Sequence, residues 1–104
     1  MEKYYIEITE PAENDLFEIK RYISEELLEP RVAERIIDKI AEGVFELEEM
    51  ALRNALVLDE RLALNGIRKL SIDNYIVFYI VDEGRRTVTI IRILYGRRDW
   101  ANLL

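Results

Sequence analysis

The chain has 104 residues, half of them hydrophobic and 35% charged, with a formal net charge of −6. That length suits one domain, 1–104, and so apolar a chain offsets the entropy of ordering, so disorder is excluded and a single core is expected. Cysteine and histidine are both absent, which excludes disulfides, thiolate or imidazole metal ligands, and serine–histidine or cysteine nucleophiles.

Residues 3–8, Lys-Tyr-Tyr-Ile-Glu-Ile, are β-prone and roughly alternating, and predict a first strand. The stretch Met1-Glu2-Lys3-Tyr4-Tyr5 has no apolar run of the kind a secretory leader carries, so a cytoplasmic location is expected. Thr9 can cap a helix, Pro11 fits a first turn, and Glu10 and Glu13 favour its positive end. Leu16, Ile19, Ile23 and Leu27 then recur at helical spacing and predict an amphipathic helix of about four turns. Pro30 interrupts it and starts a second helix. The apolar stripe of that helix is Ala33, Ile36, Ile37, Ile40, Val44, Leu47 and Ala51. Glu42, Glu46 and Glu49 share another face, which reads as a solvated surface; no metal or other cofactor is expected. A short connection lays the two helices side by side as a hairpin.

Residues 53–65 fit neither period and read as a connecting segment, partly packed by its leucines and closed by Gly66. Ile67–Ile72, Tyr75–Val81 and Thr87–Tyr95 then predict three strands, joined by tight turns at Asp73-Asn74 and Asp82-Glu83-Gly84. The last two strands are apolar on both faces and should be central or covered on both sides. The run Tyr75–Val81 is too short to span a bilayer as a helix, so no membrane partner is expected. Residues 96–104 leave the sheet as a tail, with the core complete without them. The order is β-α-α-β-β-β: an α+β domain, an antiparallel sheet with a helical hairpin packed on one face.

Charge divides along the chain. Residues 1–64 carry 17 acids and 8 bases, net −9, whereas residues 65–104 carry 4 acids and 7 bases, net +3. The late arginines are Arg68, Arg85, Arg86, Arg92, Arg97 and Arg98. Such a chain can meet an anionic partner locally while repelling nucleic acid in general.

The C-terminal forty residues carry a resemblance. Gly66-Ile-Arg-Lys-Leu, Tyr75-Ile-Val-Phe-Tyr-Ile-Val-Asp82 and Thr87-Val-Thr-Ile-Ile-Arg-Ile-Leu-Tyr-Gly-Arg-Arg-Asp-Trp100 resemble the RelE/ParE superfamily of toxins. Pro-Ala-Glu-Asn-Asp-Leu at 11–16 is similar to that family's first-helix opening. The resemblance implies the same element order and a toxin of a type II toxin–antitoxin module, of the kind that stabilises plasmids or enforces addiction. It also implies a cognate antitoxin partner. RelE-type members cleave mRNA in the ribosome, and ParE-type members inhibit DNA gyrase. In RelE-type toxins an arginine at the position of Arg98 helps hold the scissile phosphate, where a bidentate guanidinium suits the developing charge. The RelE-type tyrosine six residues further on is replaced here by Leu104, and an arginine common four residues before the tyrosine of the next strand is replaced by Ser71. The histidine common before the glycine is Tyr95.

Three residues are therefore candidates for chemistry: Arg98, Arg92 and Tyr95, the last as a proton-transfer group. Arg92 has a second reading, an interior arginine paired with a helix acid such as Glu13 or Asp15, because an unpaired buried charge is expensive. Arg68, Arg97 and Trp100 are candidates for binding a partner or target. Arg97 and Arg98 can instead be a solvated tail paired with Asp99, and Trp100 can anchor the tail on the sheet. Arg68 and Lys69 lie on opposite faces of their strand, so only one shares a surface with Arg92; Arg92 with Arg68 is the fallback site. Tyr75 and Tyr79 can stack on bases or sit in the core with polar tips at the rim. Three functions compete: a ParE-like inhibitor that binds an essential target, a RelE-like ribosome-dependent mRNA endonuclease, and an inactive relative kept for binding.

Overall fold

A computed structural model describes residues 3–104; Met1 and Glu2, part of the stretch read for a leader, lie outside the described residues. Strand β1 (Tyr5–Ile8) leads into helix α1 (Glu10–Arg21), followed by a π-turn at Tyr22–Glu26 and helix α2 (Pro30–Met50). A short helix α3 (Glu60–Leu64) precedes β2 (Arg68–Ile72), β3 (Tyr75–Asp82) and β4 (Thr87–Tyr95), and a 3-10 turn at Trp100–Asn102 ends the fold. Thr9 caps α1 as its residue type predicts. Its hydroxyl accepts from Ala12 N at 3.3 Å and donates to Ile90 O at 2.8 Å, tying the helix start to β4.

The sheet order is β1-β4-β3-β2. β2, β3 and β4 form the expected antiparallel meander, whereas β1 lies parallel to β4, from Tyr5 opposite Thr87 to Ile8 opposite Ile90. The sheet is thus mixed. A parallel neighbour needs a crossover, and the helical hairpin supplies it by carrying the chain over one face of the sheet to its far edge. Gly43 lets α2 sit close there, because a Cβ at this position would run into the side chains of Ile72 and Leu70.

The expectation of one core is corrected. The hairpin face buries Ala12, Ile40, Val44, Leu47, Val77, Tyr79, Val88, Ile90 and Ile93. The opposite face buries Val57, Leu62, Ile67, Phe78 and Leu94, with Trp100, Ala101, Leu103 and Leu104 packed against them. The connecting segment and the tail together form this second layer. The core is therefore not complete without residues 96–104. Residues 55–57 also run along the start of β2, with Val57 N donating to Ile67 O at 2.9 Å.

The first helical stripe ends sooner than its spacing predicts. The helix loosens into the π-turn, so Ile23 is buried but Leu27 is 52% exposed. Among the described residues, no helix is long and apolar enough to cross a membrane.

Candidate functional site

β4 outruns its parallel neighbour. β1 pairs no further than Ile90, and beyond it the edge of β4 is open to α1. A bulge between the Phe78 and Tyr79 pairings leaves Ile91 without an opposite residue and brings Arg92 opposite Phe78. Asp15, on α1, closes this edge. Its Oδ2 accepts from Ile93 N at 2.9 Å and from Arg92 Nε at 2.7 Å, and its Oδ1 accepts from Arg92 Nη2 at 2.8 Å. The hydrogen bonds that Asp15 accepts, set against some burial, hold the Arg92 guanidinium above its ordinary pKa. Arg92 Nη1 also donates to Leu103 O at 3.2 Å, which ties the tail to the same pair. Of the two readings of Arg92, the structure gives the interior ion pair, and the acid is Asp15 rather than Glu13.

The fallback pairing of Arg68 with Arg92 is corrected. Arg68 stands opposite Tyr79, in the row that faces the hairpin, whereas Lys69 stands opposite Phe78, in the row of Arg92. The bulge is the physical reason, since one extra residue shifts the alternation of β4. Arg68 Nη1 donates to Asn54 O at 2.6 Å and so fixes the connecting segment. Trp100 packs on Phe78, with ring centroids 5.1 Å apart, which is the tail-anchoring reading. Asp99 accepts from Asn102 Nδ2 at 2.6 Å, and neither Arg97 nor Arg98 pairs with it. Nor do the late arginines form one patch: Arg85 and Arg86 lie in the turn before β4, and Arg97 and Arg98 beyond its other end.

What the structure does bring together is Tyr75, Tyr95 and Arg98. They line a groove of about 740 Å³ between the hairpin and the ends of β3 and β4, with Tyr22, Leu27 and Val32 on the hairpin wall. Tyr75 and Tyr95 are cross-strand partners and meet edge to face, ring centroids 5.7 Å apart. Arg98 and Tyr95 are both exposed there. Arg97 is not part of the lining. Sequence reasoning missed Tyr22 and the π-turn; the available signal was an aromatic beside the apolar stripe, just ahead of Pro30. Among the described residues, no group of three or more acids is placed to hold a metal ion.

Burial pushes the Tyr75 phenol up, aided by Tyr95 and Tyr22. Burial also pushes Tyr79 up, against the opposing pull of Asn54, Arg68 and Arg53. The Tyr79 hydroxyl donates to Ala51 O at 3.2 Å. A phenol whose folded pKa is raised contributes stability that is fully present below the unfolded value and is lost as pH rises through the folded one. Stability is therefore expected to decline above about pH 10. Phenolate absorbance should show two late-ionising tyrosines that rejoin the ordinary range in urea; Tyr79→Phe should remove one.

The sequence family described as "ParE toxin of type II toxin-antitoxin system, parDE" matches residues 6–100. A search of curated proteins finds no significant match. Among solved structures, the chain is similar to one from the chromosomal ParDE system of P. aeruginosa, at 23% identity and a TM-score of 0.72, over 89% of this chain and 96% of that one. It is also similar to a chain of the RelBE2 toxin–antitoxin complex of Mycobacterium tuberculosis, at 22% identity and a TM-score of 0.67, over 89% and 98%. A free E. coli RelE double mutant matches at 12% identity and a TM-score of 0.67, over 97% and 92%. These likenesses define the class of fold, that of the RelE/ParE toxins. The family match goes further: the chain belongs to the ParE toxin family of type II toxin–antitoxin systems.

Proposed function

We propose that the chain arrests growth in the cytoplasm by binding an essential protein, with DNA gyrase the target that the ParE-type resemblance implies, and that a cognate antitoxin neutralises it at the groove. The observation that carries this reading is the isolation of Arg98. It has no hydrogen bond or ion pair from its side chain among the described residues, and Arg92 is already neutralised by Asp15. Leu104 and Ser71 stand where RelE-type toxins carry a tyrosine and an arginine. Arg21, the other guanidinium of the groove, is held by Glu18, Glu25 and Glu26, and a single unpaired guanidinium supports an interface contact better than a phosphate-cleaving set. The net charge of −6 also disfavours unaided RNA binding.

The RelE-like reading, a ribosome-dependent mRNA endonuclease, draws on one feature: Arg98 and the Tyr95 phenol line the same groove. Expression of the chain alone separates the two. Growth should slow, and primer extension on total RNA should show no new cuts within translated frames. Arg98→Ala is expected to relieve growth arrest while stability stays within about 0.5 kcal/mol of wild type, as befits an exposed, unpartnered side chain. In-frame cuts that vanish in Arg98→Ala would make the RelE-like reading correct, and full toxicity of Arg98→Ala at wild-type expression would remove Arg98 from the site.

A further inference from the structure

The groove is lined by two acids and two bases, and they are not equally engaged. Asp15 has both carboxylate oxygens taken, by Arg92 and by Ile93 N. Glu18 Oε2 accepts from Arg21 Nε at 3.2 Å and from Arg21 Nη2 at 3.1 Å, so these two charges answer each other within α1. Glu25 and Glu26, which also approach Arg21, are not part of the lining. Arg98 has no ion pair among the described residues. With the internal pairs set aside, the lining keeps one unanswered charge, and it is positive.

The groups beside that charge are all able to donate. Asn74, Tyr75 and Tyr95 share the strand end of the groove with Arg98. None of their side chains makes a hydrogen bond among the described residues. A phenol and an amide each carry protons to give, and burial keeps Tyr75 protonated well past neutrality. The corner is also held in place. Tyr75 and Tyr95 are cross-strand partners, Gly96 N donates to Asn74 O at 2.8 Å, and Arg98 N donates to Tyr95 O at 3.1 Å. Lys39 Nζ lies 3.3 Å from Asp73 Oδ2 and pins the turn that carries Asn74 to α2. A corner ordered before its ligand arrives loses less on binding.

We propose that this strand end is a subsite for one carboxylate, carried by an aspartate or glutamate side chain of the target protein, with the neighbouring apolar side chains of the target laid along Leu27, Val32 and Ile93. The guanidinium fork of Arg98 matches the two oxygens of a carboxylate, and the phenols and the Asn74 amide meet the remaining lone pairs. The proposal rests on the target-binding reading above and adds the chemical group that is recognised. A phosphate suits the same donors, but a nucleic-acid strand brings a row of charges and is held by several cations. Arg97 lies outside the lining, and the walls of the groove are largely apolar, which favours a single acid set among apolar side chains.

The test titrates the isotope-labelled chain, followed by NMR, with a capped Leu-Glu-Leu peptide, its Leu-Gln-Leu twin and a uridine trinucleotide. The glutamate peptide should bind roughly tenfold more tightly than the glutamine one and shift the signals of Tyr75, Tyr95 and Arg98. Arg98→Gln should erase that preference, and Arg98→Lys, which keeps the charge but not the fork, should keep part of it. Arg85→Gln, in the turn before β4, should leave it unchanged. Equal binding of the two peptides, or a preference that survives Arg98→Gln, overturns the subsite. A preference that Arg85→Gln also erases is general attraction and overturns it too. A trinucleotide that binds more tightly than the glutamate peptide, and loses that binding in Arg98→Gln, overturns the carboxylate in favour of an RNA phosphate. Failure of the chain to arrest growth removes the target reading without touching these titrations, so the two failures are told apart.

Discussion

Asp15→Ala is expected to destabilise the fold by about 3 kcal/mol, because one substitution removes three hydrogen bonds and leaves a half-buried guanidinium without its counter-charge. The Asp15 side chain is 11% exposed and that of Arg92 25%, so water compensates little. Urea unfolding is the measurement. Asp15→Ala combined with Arg92→Leu should recover part of the loss, since an apolar pair in place of a buried ion pair is far cheaper than an orphaned charge. If Asp15→Ala unfolds within about 1 kcal/mol of wild type, the pair is a surface contact in energetic terms. Arg92 would then be available for function.

Trp100→Ala is expected to cost roughly 2–4 kcal/mol, and deletion after Gly96 to prevent folding altogether. The tail covers the face of the sheet opposite the hairpin, where Trp100 packs on fully buried Phe78, and Arg61 Nη2 donates to Ala101 O at 3.0 Å. Removing it bares Phe78, Leu94, Ile76 and Ile91 on the two central strands, an apolar patch that invites aggregation. Thermal melts and dye binding to exposed apolar surface test this. A deletion variant that melts cooperatively near the wild-type temperature would show that α3 and the connecting segment cover the face alone. Loss of toxicity in Trp100→Ala therefore has to be read beside a melt, whereas Arg98→Ala reports on function directly.

The meander strands are legible in the sequence because Ile67–Ile72, Tyr75–Val81 and Thr87–Tyr95 are bounded by turn residues and rich in β-branched and aromatic side chains. The second core is hinted at by the same strands, apolar on both faces; what covers the far face is not, because residues 53–65 and 96–104 are short and aperiodic. The face taken by Arg92 is invisible in principle. The run Val88–Leu94 is apolar on either register apart from Thr89 and Arg92, so nothing in it marks Ile91 as the extra residue. The same gap hides Asp15, whose role depends on β4 extending past β1. Of the candidate residues, Tyr95 and Arg98 meet in one groove because Gly96 turns the chain there, its N donating to Asn74 O at 2.8 Å.

The parallel pairing of β1 with β4 sets an order on synthesis. The first strand emerges from the ribosome early, yet its only neighbour in the sheet ends at Tyr95, and the cover of the far face ends at Leu104. The helical hairpin can form locally, but its apolar side has no sheet to rest on until the residues through Tyr95 have been made. Folding is thus expected to wait until β4 has been made. A product that stops before β4 lacks both that strand's partnership and the covering tail, and is expected to be degraded rather than to act. On that order, an antitoxin already present is expected to meet the chain as it first folds.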